Sequence, residues 1–320
     1  MTSTSCAILN NNKNETKTSL DVHQLEFEEW EPSHDFSHII VKVHGYNDYS
    51  NSFEVSGKYF ANHGIKSISF DLNGFGKNTN KGEWFGLDSH IRDISIIIKK
   101  IKLKYPRKKI FLMGESMGGA IVISIAEKQK EIPIDGLILV APALWNFTET
   151  NFIKSLPLKL MSKVLPKLQV DGKGLVKVRA SNNDDMLKKL SEDKYFIHKP
   201  SLESLQGVID LMDESFLNAR KYLEDPPFKT LILIPLKDEI VPRKPLMSII
   251  SDLNRKNNFL EKIKINLYTE SFHMILRDLQ GVQIINDIKD WVLDGLKNPK
   301  YNNESILKQL EDTTFVHRLD

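Results

Sequence analysis

A single cysteine, Cys6, stands in 320 residues, which excludes an internal disulfide and any zinc site built from two or more cysteines of one chain. No apolar run approaches the ~18 residues that a bilayer-spanning helix needs. The longest, such as residues 136–144, read as buried strands, and mean hydropathy is −0.30. Neither sign of charge dominates: 44 Lys and Arg against 42 Asp and Glu leave a formal +2. Such a balance gives no electrostatic footprint for nucleic acid. Residues 1–12 are mostly polar and lack the basic n-region and apolar h-region of a secretory signal. A cytoplasmic protein is the expectation, with one alternative. If the true start lies upstream, Cys6 and the Asn/Lys/Thr-rich stretch behind it become a lipid anchor and its tether.

What is present is an ordinary globular composition, 41% hydrophobic and 27% charged. From His23 onward short apolar runs alternate with helical periods. Ile39-Ile40-Val41-Lys42-Val43 reads as a strand ending at His44-Gly45, followed by a helix over 52–63 that stops at Gly64. Residues 67–71 read as a strand and 88–105 as a helix, with Ile91, Ile94, Ile98 and Ile101 on one face. Further strands are expected at 110–113, 137–140, 230–235 and 263–267, and helices at 120–128, 245–253 and 282–296. Near-continuously apolar strands alternating with helices predict an α/β fold with a mostly parallel sheet covered on both faces. The rhythm breaks between Trp145 and Leu211, where helical stretches and prolines replace strands. The organisation expected is a tail over 1–22, a core over 23–144 and 212–297, a helical insertion over 145–211, and a polar tail over 298–320 with a short helix at 306–310.

Gly114-Glu115-Ser116-Met117-Gly118 fits G-x-S-x-G, entered from a buried strand and left by a helix that begins with Gly119 and Ala120. A nucleophilic serine needs that context, because a sharp strand-to-helix turn pushes Oγ into a cleft. The backbone N–H of Met117 then faces a developing oxyanion from the helix N-terminus. A serine hydroxyl is a weak nucleophile and needs a base held by an acid. Of nine histidines, His273 has the right place, in a loop six residues past the strand that ends at Leu267. The acid belongs after the preceding strand, where Lys237-Asp238-Glu239 offers Asp238, with Glu239 as competitor. Tyr46, after the first strand, is the candidate for a second oxyanion N–H.

These residues resemble the α/β-hydrolase superfamily, specifically its monoacylglycerol lipase/lysophospholipase-like branch, which overlaps the serine aminopeptidase profile. The carriers are His44-Gly45, Asp71-x-x-Gly74-Phe75-Gly76, Gly114 to Gly119, Asp238-x-Ile240-Val241-Pro242 and His273 to Asp278, spanning residues 25–296. The resemblance implies Ser116 as nucleophile, Asp238 as acid, His273 as base, Tyr46 and Met117 as oxyanion donors, and a helical cap at the insertion. The chain departs from the usual D-x-R-G-x-G-x-S at Asn73 and Asn78, and from the usual H-G-x-G-E-H after the first strand.

Residues 146–168 carry Phe152, Ile153, Leu156, Leu158, Leu160, Met161, Val164 and Leu165 among Lys154, Lys159, Lys163 and Lys167. The favoured expectation is a cap helix turning its apolar face to the active-site pocket; the other is a transient contact with an anionic lipid surface. Both point to a lipid-like ester, a monoacylglycerol or lysophospholipid, cleaved without metal or organic cofactor. Two alternatives stay open. A peptidase of the aminopeptidase type would hold the substrate ammonium on a cap acid, Asp184, Asp185, Glu192 or Asp193, and a non-catalytic ligand-binding hydrolase fold would use no triad.

Overall fold

The computed structural model describes residues 25–171, 178–254 and 262–294, together with Lys308. Seven strands form one sheet: β1 (Phe27–Trp30), β2 (His38–Val43), β3 (Ile65–Phe70), β4 (Lys109–Glu115), β5 (Gly136–Val140), β6 (Lys229–Pro235) and β7 (Ile263–Tyr268). Their order is β1-β3-β2-β4-β5-β6-β7, with β1 antiparallel to β3 and every other pair parallel. Alternate residues of β2 enter different cores. Ile39, Val41 and Val43 pack on one face and Ile40 on the other, the two-sided burial that a parallel sheet requires.

Helices α1 (Glu54–Asn62) and α9 (Gly281–Asp294) cover the face of Ile40, Phe111 and Trp291. The opposite face is covered by α2 (Gly86–Lys104), α3 (Met117–Lys128), α7 (Leu202–Glu224) and α8 (Arg243–Asn254), α4–α6 being the helices of the insertion. The insertion between β5 and β6 contributes α4 (Phe147–Thr150), α5 (Phe152–Val164), α6 (Asp184–Glu192) and the start of α7. The expected cap limit at Leu211 falls inside α7. That helix runs on unbroken, buries Phe216, Ala219 and Tyr222, and packs along α3. The expected tails, 1–22 and 298–320, lie outside the described residues apart from Lys308, as do Cys6 and the rest of the short helix expected at 306–310.

Chain order sets where chemistry can happen. The path leaves β2 for β3 on one side and returns to β4 on the other, so β2 and β4 lie side by side, Val43 opposite Gly114. Loops leaving their carboxyl ends diverge there, and such a switch point opens a crevice in doubly wound sheets. His44-Gly45-Tyr46 and Glu115-Ser116-Met117 are those two loops.

Helix α5 carries two expectations, an apolar face turned to the active-site pocket and one turned to a lipid surface. Its buried described side chains are Ser155 and Ser162, whereas Leu156, Leu160, Met161, Val164 and Leu165 stand exposed. The exposure runs from 46% at Leu156 to 76% at Val164, so this helix keeps small polar groups against the protein and turns large apolar ones away. No described helix is long and apolar enough to cross a membrane.

Candidate active site

Ser116 sits where β4 becomes α3, with φ +56° and ψ −118°. That is a strained conformation for a side chain with a Cβ and typical of residues held for function. Its neighbours let the turn close. A Cβ on Gly114 would fall 2.2 Å from Gly118 O, and one on Gly118 would fall 2.1 Å from Val43 O. The backbone anchors the turn as well: Ser116 N–H donates to Val140 O at 2.9 Å, and Ser116 O accepts from the N–H groups of Ala120 and Ala143.

His273, in the loop after β7, reaches across with Nε2 at 2.8 Å from Ser116 Oγ. Its Nδ1 lies 2.7 Å from Asp238 Oδ2. A carboxylate only accepts, so Nδ1 carries the proton and Nε2 is left to accept from the serine hydroxyl. The other carboxylate oxygen, Asp238 Oδ1, accepts from Ile240 N–H at 2.8 Å and Val241 N–H at 3.0 Å. Both Asp238 and His273 are buried. Burial pulls the His273 pKa down, but the charge of Asp238 and its hydrogen bond outweigh this and leave it above the ordinary value. Glu239, the competing acid, is turned away and accepts from Arg179 N–H at 2.9 Å.

Tyr46 and Met117 lie on the two sides of the crevice. Met117 opens α3, so its N–H has no acceptor inside the helix. The Gly45 backbone runs against the serine, an added Cβ there lying 3.2 Å from Ser116 Cβ and 3.8 Å from its Oγ. The ring of Tyr46 is fixed from above by its hydroxyl, 2.9 Å from Ser204 Oγ on α7. His44 is structural: Nδ1 meets Gly45 O at 2.8 Å, and Nε2 accepts from Leu72 N–H at 3.0 Å. Burial keeps its ring neutral.

The loop after β3 explains the two departures from the family pattern. Asn78 Nδ2 donates to Asp71 O and Leu72 O at 2.9 and 3.0 Å. Asn73 Nδ2 donates to Asp93 Oδ2 at 2.8 Å. Asn78 staples its own loop and Asn73 ties that loop to α2, while the Asp71 carboxylate accepts from Ser50 N–H and Lys77 N–H.

Three of the four cap acids, Asp184, Asp185 and Asp193, are placed by other contacts. Asp184 pairs with Arg179 Nη2 at 2.9 Å, and Asp193 accepts from Tyr49 Oη at 2.6 Å. Asp185 and Asp193 line a lateral cleft of about 570 Å³ with Lys189, Leu276 and Arg277. None of Ser116, Asp238 and His273 lines that cleft. Sequence reasoning missed three buried charges next to the triad: Asp48, Glu115 and Arg277.

A mostly parallel sheet with this strand order, a strained serine at a strand-to-helix turn and a histidine from the last strand's loop define an α/β-hydrolase. The pattern of the family described as serine aminopeptidase, S33, matches residues 35–280; the chain belongs to this family, in its monoacylglycerol lipase/lysophospholipase-like branch. A phospholipase of Bacillus subtilis is 24% identical over 237 residues, covering 73% of this chain and 88% of its own. The monoglyceride lipase of Mus musculus is 23% identical over 273 residues, covering 82% and 84%. Among solved structures, the monoacylglycerol lipase of Paleococcus ferrophilus superposes with a TM-score of 0.70 at 23% identity, covering 85% of this chain and 99% of that one. A soluble variant of the Saccharomyces cerevisiae monoglyceride lipase, in complex with a substrate analog, gives 0.69 at 18% identity over 88% and 97%. At these identities the structural likeness speaks to the fold.

Proposed function

We propose that this chain is a serine hydrolase of carboxylic esters on lipid-like substrates, monoacylglycerols or lysophospholipids, acting through an acyl-enzyme. The observation that carries the reading is the unbroken relay from Ser116 Oγ through His273 to Asp238, at 2.8 and 2.7 Å. Ser116 Oγ attacks the ester carbonyl while His273 Nε2 takes its proton. The oxyanion is met by the N–H groups of Met117 and Tyr46. The imidazolium, stabilised by Asp238, then protonates the departing alcohol. Water, activated by the same Nε2, attacks the acyl-serine and releases the carboxylic acid. The ester reading is favoured over peptide cleavage because Asp184 and Asp193 are already engaged and Asp185 faces the lateral cleft.

A chain-length series of p-nitrophenyl esters, acetyl to palmitoyl, run on wild type and Ser116→Ala tests it. Each CH₂ buried in an apolar acyl site contributes up to about 0.8 kcal/mol, about fourfold in kcat/KM, until the site is full. The expected profile rises to medium or long chains and vanishes in Ser116→Ala. A preference for acetyl alone sinks the lipid assignment, and a fluorophosphonate that fails to label Ser116 sinks the serine mechanism.

The outward leucines of α5 support the finer reading of an interfacial substrate. Leu156, Leu160, Met161, Val164 and Leu165 stand exposed beside Lys159, Lys163 and Lys167, an apolar face with basic flanks suited to an anionic lipid surface. Paired Leu160→Asp and Val164→Asp changes are expected to reduce co-sedimentation with phosphatidylglycerol vesicles at least tenfold and to leave turnover of a soluble short-chain ester unchanged. Undiminished vesicle binding would remove α5 from the interface.

A further inference from the structure

Behind the relay lies a second buried chain of charges that the proposed chemistry does not use. Arg277 ends the 3-10 turn Ile275–Arg277, four residues past His273. Its Nη2 lies 2.6 Å from Asp48 Oδ2 and 3.8 Å from Glu115 Oε2. The three side chains are 11%, 4% and 4% exposed. Each stands on a segment that carries a group of the proposed site. Asp48 is two residues beyond Tyr46, Glu115 directly precedes Ser116, and Arg277 follows His273. The triplet therefore ties together three loops that are remote in sequence.

Stability alone does not call for it. Apolar side chains of similar volume hold a core at least as well as buried ions do, since the ions must first lose their water. What the ions add is a fixed distance between loops. The link to Asp48 falls where the backbone needs holding. Asn47, between Tyr46 and Asp48, has φ +66°, and its carbonyl accepts from Ile197 N–H of the insertion at 2.9 Å. Glu115 Oε1 and Arg277 Nε have no hydrogen-bond partner among the described residues.

We propose that Arg277 is a positioning residue: through Asp48 and Glu115 its guanidinium holds the Tyr46 loop and the Ser116 turn in register with His273. The proposal rests on the serine-hydrolase reading above. The charged groups acting on His273 are Asp238 from the acid loop, Glu115 from the nucleophile turn and Arg277 from its own loop. Asp48 and Asp278 act on Glu115 and Arg277 in turn, and neutral His44 lies near Arg277. Glu115 raises the affinity of His273 for a proton and Arg277 lowers it. Glu115→Gln removes the first influence and keeps the second, so His273 titrates lower and the acid limb of kcat/KM moves to lower pH. Arg277→Lys keeps the charge and loses the planar fork.

The test compares kcat, KM and pH profiles on a soluble short-chain ester for wild type, Arg277→Met, Arg277→Lys and Glu115→Gln. A parallel NMR titration follows the His273 imidazole. Arg277→Met is expected to lose about 10²-fold in kcat, the scale of a 1 Å misplacement, with a smaller change in KM. Arg277→Lys recovers part of the loss, and Glu115→Gln moves the acid limb and the imidazole titration together to lower pH. A kcat for Arg277→Met within twofold of wild type overturns the proposal. So does an unmoved His273 titration in Glu115→Gln, which stays readable if Arg277→Met does not fold. A wild type that neither turns over esters nor labels at Ser116 defeats the underlying function instead, and is recognised before any variant is compared.

Discussion

Replacing Asp238 by Asn lowers kcat about 10⁴-fold on any ester the wild type cleaves, with KM changed only a fewfold. The derivation starts from the two backbone donors on the acid. Ile240 N–H and Val241 N–H both point at Oδ1, at 2.8 and 3.0 Å, so an asparagine must keep its carbonyl oxygen there. Its amide nitrogen then occupies the place of Oδ2, 2.7 Å from His273 Nδ1. An amide donates where the carboxylate accepted, so Nδ1 has to accept and the ring proton moves to Nε2. That nitrogen now faces Ser116 Oγ with a proton and cannot take another, and the serine loses its base. The pH profile supplies an independent reading. Burial lowers the His273 pKa, and Asp238 more than reverses this through its charge and hydrogen bond. Without them the imidazole protonates only at lower pH, so whatever activity remains shows its acid limb displaced downward, while the plateau stays depressed because the tautomer is wrong at every pH above it. A kcat within 100-fold of wild type would mean that another group holds His273.

Much of this site was readable because its parts are local. G-x-S-x-G is a contiguous signal, and it works through close approaches that forbid any other residue at Gly114 and Gly118. Asp238 and His273 each follow a strand whose apolar run marks its carboxyl end, so chain order sufficed to choose them from many acids and nine histidines. The missed features are those made by tertiary contact. Strand β1, Phe27-Glu28-Glu29-Trp30, is four residues long with two glutamates at its centre, and no periodicity announces it. It pairs with β3, and Lys66, buried on that strand, meets Glu29 and Glu31 at 2.8 Å each. Trp30 in turn lies 4.1 Å over the ammonium of Lys42. Lys42 is the one charged residue of its apolar run; it is fully buried, and burial pulls its pKa well below the ordinary value. The Asp48–Glu115–Arg277 triplet was hidden for the same reason, since its members are separated by 67 and 162 residues and share no motif. The apolar face of α5 was visible as a pattern, but periodicity says only that a helix has two faces. Which one turns inward was decided by Ser155 and Ser162, the buried pair.

Gly118→Ala is expected to be a severely damaging addition of a single methyl group at the site. The new Cβ would lie 2.1 Å from Val43 O and 2.7 Å from His44 O. Both are backbone atoms of β2 and its exit, and Val43 is paired to Gly114 in the sheet, so neither moves as a side chain would. Relief requires the first turn of α3 to leave β2, at a cost of about 3 kcal/mol or more, beyond the usual range for overpacking. Gly82→Ala is the matched control. Gly82 also has a positive φ, +93°, but nothing lies within 4 Å of its Cβ position, so that change costs only the conformational penalty of roughly 1–2 kcal/mol. Urea unfolding separates the two, and fluorophosphonate labelling of Ser116 shows what the difference does to the site. Gly82→Ala should label at the wild-type rate. Gly118→Ala, under conditions where it remains folded, should label at least 10²-fold more slowly, because the shift carries Met117 N–H away from Tyr46 and from the position of the oxyanion. A Gly118→Ala protein within 1 kcal/mol of wild type would mean that α3 and β2 are not locked together. The close approach at Gly118 sets both quantities: contact between backbones with no Cβ between them brings the Tyr46 loop and the first turn of α3 to one serine, and the same contact leaves no room for a methyl group.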